Sequence, residues 1–302
     1  MKEVYSVVRN GGFAYHAAVE NNEKSACEKW RYAKWKDIAF AIWNLLFPRG
    51  CAGCDVPDYV LCEECCNALK CWKQASFSSV ACGYRYACGV YAGSVRRSIL
   101  LWKDHGDVAC NKVFAKLLSD LVITVLNKLL IPKQHNHTNS SKKQNFLYEE
   151  NLKNNFHNLS NENPILVIPM PSSNASQRHR GRKHMLPLAN KIVEDLCSSN
   201  IPACVANIAR MNAKINTKSV QTSGSRGRSR RASNAFKVDL KMLEKLNCGS
   251  SEYQAIIVDD IVTTGSTMSS LVAALRNANI CTIAAFSLAC VINVGDDTTD
   301  YE

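Results

Sequence analysis

The sequence predicts an α/β fold: a parallel sheet flanked by helices, with a small N-terminal four-cysteine module. Three observations carry that expectation. Short apolar runs at 165–168, 255–258 and 282–289 have the length and unbroken hydrophobicity of strands buried on both faces. Segments with apolar residues at helical spacing separate them, and strands alternating with helices imply parallel pairing with helices on both faces. Cys51-x2-Cys54 and Cys62-x2-Cys65 form two CxxC pairs separated by seven residues, a spacing that suits one tetrahedral ion.

Taken in order, residues 1–47 read as a helical extension whose apolar contacts include Trp30, Trp35, Ile38 and Trp43. Pro48 and Gly50 break it, and residues 48–75 form the metal module. Residues 80–132 read as the first part of the main domain. Within them, 80–101 alternates aromatic and small residues and reads as one or two short strands. Residues 107–130 carry Val113, Phe114, Leu117, Leu118, Leu121, Val122 and Val125 at helical spacing. Residues 133–163 are rich in Asn, Lys, His and Ser and bury too little apolar area to order themselves, so they read as a disordered insertion. The core of the domain then spans 164–292. It includes a further strand at 201–209 and a basic, Ser/Gly-rich loop at 212–234. Residues 293–302 read as a flexible tail.

Composition narrows the function. The 302 residues are 46% hydrophobic, enough for a core, yet no apolar run approaches the ~20 residues of a membrane helix. The first ten residues lack a signal-peptide core, so a cytoplasmic location is expected. Fifteen cysteines, an odd number, argue against a closed disulfide framework and for metal ligands or buried thiols. The formal net charge is +11, and its excess concentrates between Arg178 and Arg231. That segment calls for an anionic partner, either a phosphorylated small molecule or nucleic acid.

The stretch 256–267, IIVDDIVTTGST, concentrates the chemistry. A buried strand runs into two acids, a polar turn follows, and Met268, Leu271, Val272 and Leu275 then place 266–278 on a helix. Free N–H groups of a first helical turn and the helix dipole favour an anion at that turn. Thr263, Thr264, Ser266 and Thr267 add hydroxyl donors, and Gly265 lets the backbone approach closely. Asp259 and Asp260, at the carboxyl end of the strand, repel phosphate but accept hydrogen bonds from sugar hydroxyls. A phosphate beside a diol describes a ribose 5-phosphate.

Of the cysteines, Cys51, Cys54, Cys62 and Cys65 complete a closed four-thiolate site, with Cys66 an alternative fourth ligand. Thiolates at about 2.3 Å suit Zn2+, about one per chain, in a structural role that staples a segment too short to fold on its own core.

The 256–267 stretch resembles the phosphoribosyl-pyrophosphate (PRPP) motif of type I phosphoribosyltransferases. With the rest of the chain it resembles the ComF-like family, from about residue 45 to residue 289. Leu46-Phe47-Pro48 ahead of Cys51 and Cys54 looks like that family's zinc-finger lead-in. Lys103 to Asp107, KDHGD, looks like its Lys-x-x-Gly-Asp element. Pro169-Met170-Pro171-Ser172-Ser173 with Arg178, Arg180 and Gly181 resembles its Pro-x-Pro loop and Arg-Gly element. Gln221, Arg228 or Arg231, Asn234 and Phe236 loosely match the stretch ending Arg-x-x-Asn-x-x-x-Phe. Cys71, Cys82 and Cys88 are not paired as CxxC, so a single finger is expected.

The resemblance implies a type I phosphoribosyltransferase-like fold that binds PRPP with Mg2+. It implies Asp259 and Asp260 at the ribose and 263–267 at the 5-phosphate. It implies Ser172, Ser173 and Arg178 or Arg180 at the pyrophosphate, Lys103 at a phosphate, and 214–231 as a closing hood. The implied chemistry is transfer of the phosphoribosyl group to a nitrogenous acceptor. The alternative of another class is a non-catalytic accessory factor of DNA uptake and competence, in which finger and basic loop contact nucleic acid. The placement of the arginines, into the pocket or along an outward stripe, separates the two.

Overall fold

In a computed structural model the described residues are 49–130, 164–212, 235–245, 253–292 and 297–301. The expectations for 1–47, for 133–163 and for the hood at 214–231 lie outside them. Residues Cys51–Glu302 form one compact unit.

The chain runs α1 (Glu63–Ala68), β1 (Lys73–Ser76), β2 (Tyr84–Val90), α2 (Gly93–Asp104), α3 (Cys110–Leu130), β3 (Ile165–Pro169), α4 (Asn174–Arg180) and α5 (Met185–Ser198). It continues through β4 (Ala203–Val205), β5 (Ala209–Met211), β6 (Phe236–Val238), α6 (Leu240–Lys245), β7 (Tyr253–Val262), α7 (Ser266–Arg276), β8 (Ile280–Cys290) and β9 (Thr299–Asp300). Seven strands form one sheet in the order β4-β3-β7-β8-β2-β1-β9. Pairing from β4 through β2 is parallel, and β1 and β9 add antiparallel strands at one edge. β5 and β6 pair as a separate antiparallel ribbon.

The apolar runs behave as strands buried on both faces must. Every residue of β3 is buried, as are Ala255 to Val258 in β7 and Thr282 to Cys290 in β8. α3 packs against α5, whose Leu188, Ala189, Ile192 and Leu196 are buried at a helical period.

Three expectations change. Residues 80–101 hold one strand, β2, and then most of α2. Val95, Ser98, Ile99 and Trp102 are buried at i, i+3, i+4 and i+7, which is a helical stripe rather than strand alternation. The strand expected across 201–209 is confined to β4, and Ala209 opens the β5–β6 ribbon instead. The tail is not wholly loose. β9 pairs with β1, and the Tyr301 ring meets Tyr86 edge-on at 5.1 Å and Trp72 at 6.4 Å. Edge pairing and aromatic burial hold residues 299–301 in place.

The metal module is built into this unit. The end of α1 presses on β2 so closely that a Cβ on Gly89 would lie 2.5 Å from the Ala68 carbonyl oxygen. No helix among the described residues is long and apolar enough to cross a membrane.

Candidate functional site

β7 lies between β3 and β8 and outruns β3. Its register with β3 ends at Pro169↔Val258, whereas its pairing with β8 continues to Val262↔Cys290. Asp259 and Asp260 therefore stand on the overhang at the carboxyl end of a parallel strand, where open α/β sheets keep their ligand crevice. The turn at 263–265 reverses the chain into α7. Gly265 caps that helix at φ 77°, a left-handed conformation that favours glycine. Thr263, Thr264, Ser266 and Thr267 are exposed around it. The Thr264 hydroxyl donates to Ser266 Oγ at 3.2 Å and accepts from the Ser266 N–H at 3.4 Å. Arg85 Nη1 donates to the Thr263 carbonyl at 3.2 Å and steadies the turn from β2.

The two acids differ in environment. Asp260 is only 5% exposed, and its Oδ2 accepts from Lys103 Nζ and from His184 Nε2, each at 2.6 Å. Burial works to raise its pKa. The His184 hydrogen bond and the Lys103 charge outweigh burial and hold the carboxyl at about 2. Asp259 is only partly buried, and its Oδ1 accepts from the Asp260 N–H at 2.8 Å. Dense surroundings and the neighbouring Asp260 charge push its carboxyl well above the ordinary range, and its partial exposure damps that push.

Lys103 thus clasps a carboxylate here, where the sequence placed it on a phosphate. It leaves the last turn of α2 together with Trp102 and Asp104. Trp102 is fully buried, donates from Nε1 to Asn111 at 2.6 Å, and meets the His184 ring at 5.1 Å. Arg182 lies over Trp102 and donates to its carbonyl oxygen, and Arg180 pairs with Asp104 at 3.2 Å. Arg180 is therefore engaged, while Arg178 is exposed. Ser173 caps α4 by accepting from the Ser176 N–H. Ser172 lines a cavity of about 180 Å3 that opens on the loop after β3. Lys183, Arg210, Gln177 and Asn207 also line it, and among the described residues no carboxylate does.

The sequence offers His184, with His105 and His179, as a lone histidine that could shuttle protons but is more often structural, and it does not single out Trp102. Both stand at the candidate site, and no local pattern ties either to the acids, because they meet them from segments distant in the chain.

The second centre is the cysteine cluster. The sulfurs of Cys51, Cys54, Cys62 and Cys65 all lie within 4.8 Å of one another, and Cys54 and Cys62 are 3.5 Å apart. Four thiolates at zinc distance form a tetrahedron with edges of about 3.8 Å, so this donor set fits one such ion. The Cys51 sulfur also accepts from the N–H groups of Cys62 at 3.2 Å and Gly53 at 3.4 Å. Burial opposes ionisation of that thiol, but the N–H donors prevail and hold it at about 6. Cys66 does not join the cluster; its sulfur turns to the Leu61 carbonyl oxygen at 3.7 Å.

No protein-family model matches the chain, and no curated protein matches it. The molecule itself is a mixed α/β protein with a mostly parallel seven-stranded sheet, an acidic strand end beside a hydroxyl-lined turn, and a four-cysteine cluster able to hold a metal ion such as zinc.

Proposed function

We propose that the chain is a type I phosphoribosyltransferase-like protein that binds PRPP with Mg2+ and transfers the phosphoribosyl group to a nitrogenous acceptor. The observation that carries this reading is the overhang of β7. Asp259, partly exposed, stands at one end of a turn whose other end is a glycine-capped helix ringed by four exposed hydroxyl residues. The hydroxyls and N–H groups of 263–267 suit the 5-phosphate, and the carboxylate suits the ribose diol.

The cavity on the loop after β3 suits the pyrophosphate arm, since Lys183 and Arg210 line it and no carboxylate does among the described residues, although Arg210 also pairs with Asp239 at 3.8 Å. Mg2+ would arrive on the pyrophosphate and neutralise part of its charge. In the reaction the acceptor nitrogen bonds to the anomeric carbon as the carbon–oxygen bond to pyrophosphate breaks, and the acceptor's proton is lost. Positioned charge rather than a protein nucleophile would lower the barrier. The four thiolates would hold Zn2+ in a structural role.

The nucleic-acid reading gains nothing from the finger. Residues 51–66 contain Asp55, Asp58, Glu63 and Glu64 and no Lys or Arg, the wrong sign for a phosphate backbone.

Calorimetry with PRPP and Mg2+ tests the proposal. Zinc-loaded wild type is expected to bind in the micromolar range, about −8 kcal/mol, and Asp259→Asn to lose most of that affinity. A folded, zinc-loaded wild type that gives no binding heat at millimolar PRPP would refute it.

A further inference from the structure

One helix touches both centres. At its N-terminal end, α2 packs on the cysteine knuckle. A Cβ added to Gly53 would lie 3.1 Å from Ser94 Cβ and 2.6 Å from Cys65 Sγ, so the knuckle and the first turn of α2 are in direct contact. Across the same contact, Arg97 pairs with Asp55 at 2.8 Å. At its C-terminal end, the same helix delivers Lys103 to Asp260, Asp104 to Arg180, and the Trp102 ring to His184 and Arg182. Its twelve residues span about 18 Å as a single hydrogen-bonded rod. Val95, Ile99 and Trp102, all buried, run along the side packed into the core.

We infer that α2 couples metal occupancy of the four-thiolate knuckle to the geometry of the Asp260 clasp, so that loss of the metal loosens Lys103 and His184 at the far end. The physical basis is that a helix transmits a shift of one end to the other with little internal give. A closely packed knuckle cannot move without displacing the first turn of α2. With the metal bound, the cluster fixes Cys65 and hence Ser94. Without it, mutual repulsion of thiolates, or their protonation, removes the constraint. Ser94 and Arg97 are positioning residues in this scheme, and Lys103 is the reporter end. The inference rests on the ribose-phosphate reading only for what the clasp is used for.

The test is hydrogen exchange by mass spectrometry on the full chain, zinc-loaded, chelator-stripped and reloaded. Peptides covering 98–104 and 182–186 are followed against a control covering 268–275. Stripping is expected to raise exchange at 98–104 and 182–186 at least threefold, reversibly, with the control unchanged. A second variant, Ser94→Ala/Arg97→Ala, keeps every cysteine and Lys103 and substitutes a good helix former. In it, stripping is expected to alter the knuckle while the response at 98–104 and 182–186 falls by half or more.

Three outcomes would overturn the inference: exchange that rises only within 51–97, exchange that rises equally everywhere including the control, or a full distal response in the double variant. Calorimetry with PRPP on the same samples is expected to show at least tenfold weaker binding after stripping. Absence of PRPP binding in the loaded wild type would count against the ribose-phosphate reading and leave the coupling to be decided by exchange.

Discussion

Replacing each of the two adjacent acids of β7 by asparagine should move stability in opposite directions. Asp260→Asn keeps the size and one acceptor oxygen but removes the charge that Lys103 and His184 hold. A carboxyl lowered from 3.8 to about 2 is stabilised in its ionised form by roughly 2–3 kcal/mol. The folded state therefore loses about that much at neutral pH when the charge is removed, and Lys103 is left facing a neutral group in a buried setting. For a unit of this size such a loss lowers Tm by roughly 5–10 °C.

The sign with pH follows from the direction of the shift. The folded pKa lies below the ordinary one, so the stabilisation is complete above about pH 4 and vanishes as pH falls through about 2. Asp259→Asn should do the reverse. Surroundings that resist its ionisation, and the Asp260 charge beside it, penalise the folded state once the unfolded carboxyl ionises. Removing that carboxyl should raise Tm at pH 7, with the gain disappearing below about pH 4. Such a gain is the usual mark of a residue kept for function rather than stability.

Urea denaturation of wild type and both variants between pH 7 and pH 2.5 reads these differences, and effects common to all three proteins cancel. Asp260→Asn as stable as wild type at pH 7 would refute the clasp as an energetic feature. A deficit that persists undiminished at pH 2.5 would refute its electrostatic origin, and a destabilised Asp259→Asn would refute the assignment of unlike roles.

Gly265→Ala places a Cβ at φ 77°, at a cost of roughly 1–2 kcal/mol, and brings it within 3.1 Å of Phe77 and 2.6 Å of Arg85 Nη1, the atom that holds the Thr263 carbonyl. Tm and PRPP affinity are expected to fall together, and Gly265→Asn, better suited to a left-handed conformation, to fall less. Equal effects of the two variants on Tm would show that contact rather than backbone conformation dominates. Gly53→Ala would drive a Cβ to 2.6 Å from the Cys65 sulfur and should weaken zinc binding at least tenfold in competition with a chromophoric chelator. Unchanged zinc affinity would contradict the tight knuckle packing.

Much of the scaffold was legible in local pattern. The apolar runs at 165–168, 255–258 and 282–289 became β3, β7 and β8 because a strand buried on both faces needs unbroken hydrophobicity. The CxxC spacing brought four sulfurs together because each pair closes within one short turn. α2 was missed where local signals are weak. Its N-cap is Ala92 with no side-chain cap, so nothing announces a helix start after β2, and the Tyr-rich run before it favours strands.

The sequence by itself determined which segments could be strands and helices, where a metal could bind, and that two acids precede a hydroxyl-rich turn. Only the tertiary structure decided that those acids have unlike roles. Side chains of successive strand residues point to opposite faces, so neighbouring carboxylates sample different surroundings. Asp260 meets Lys103 from α2 and His184 from the start of α5, while Asp259 remains at the crevice. A carboxylate's role is set by the charges and water around it, and folding assembles those from distant parts of the chain.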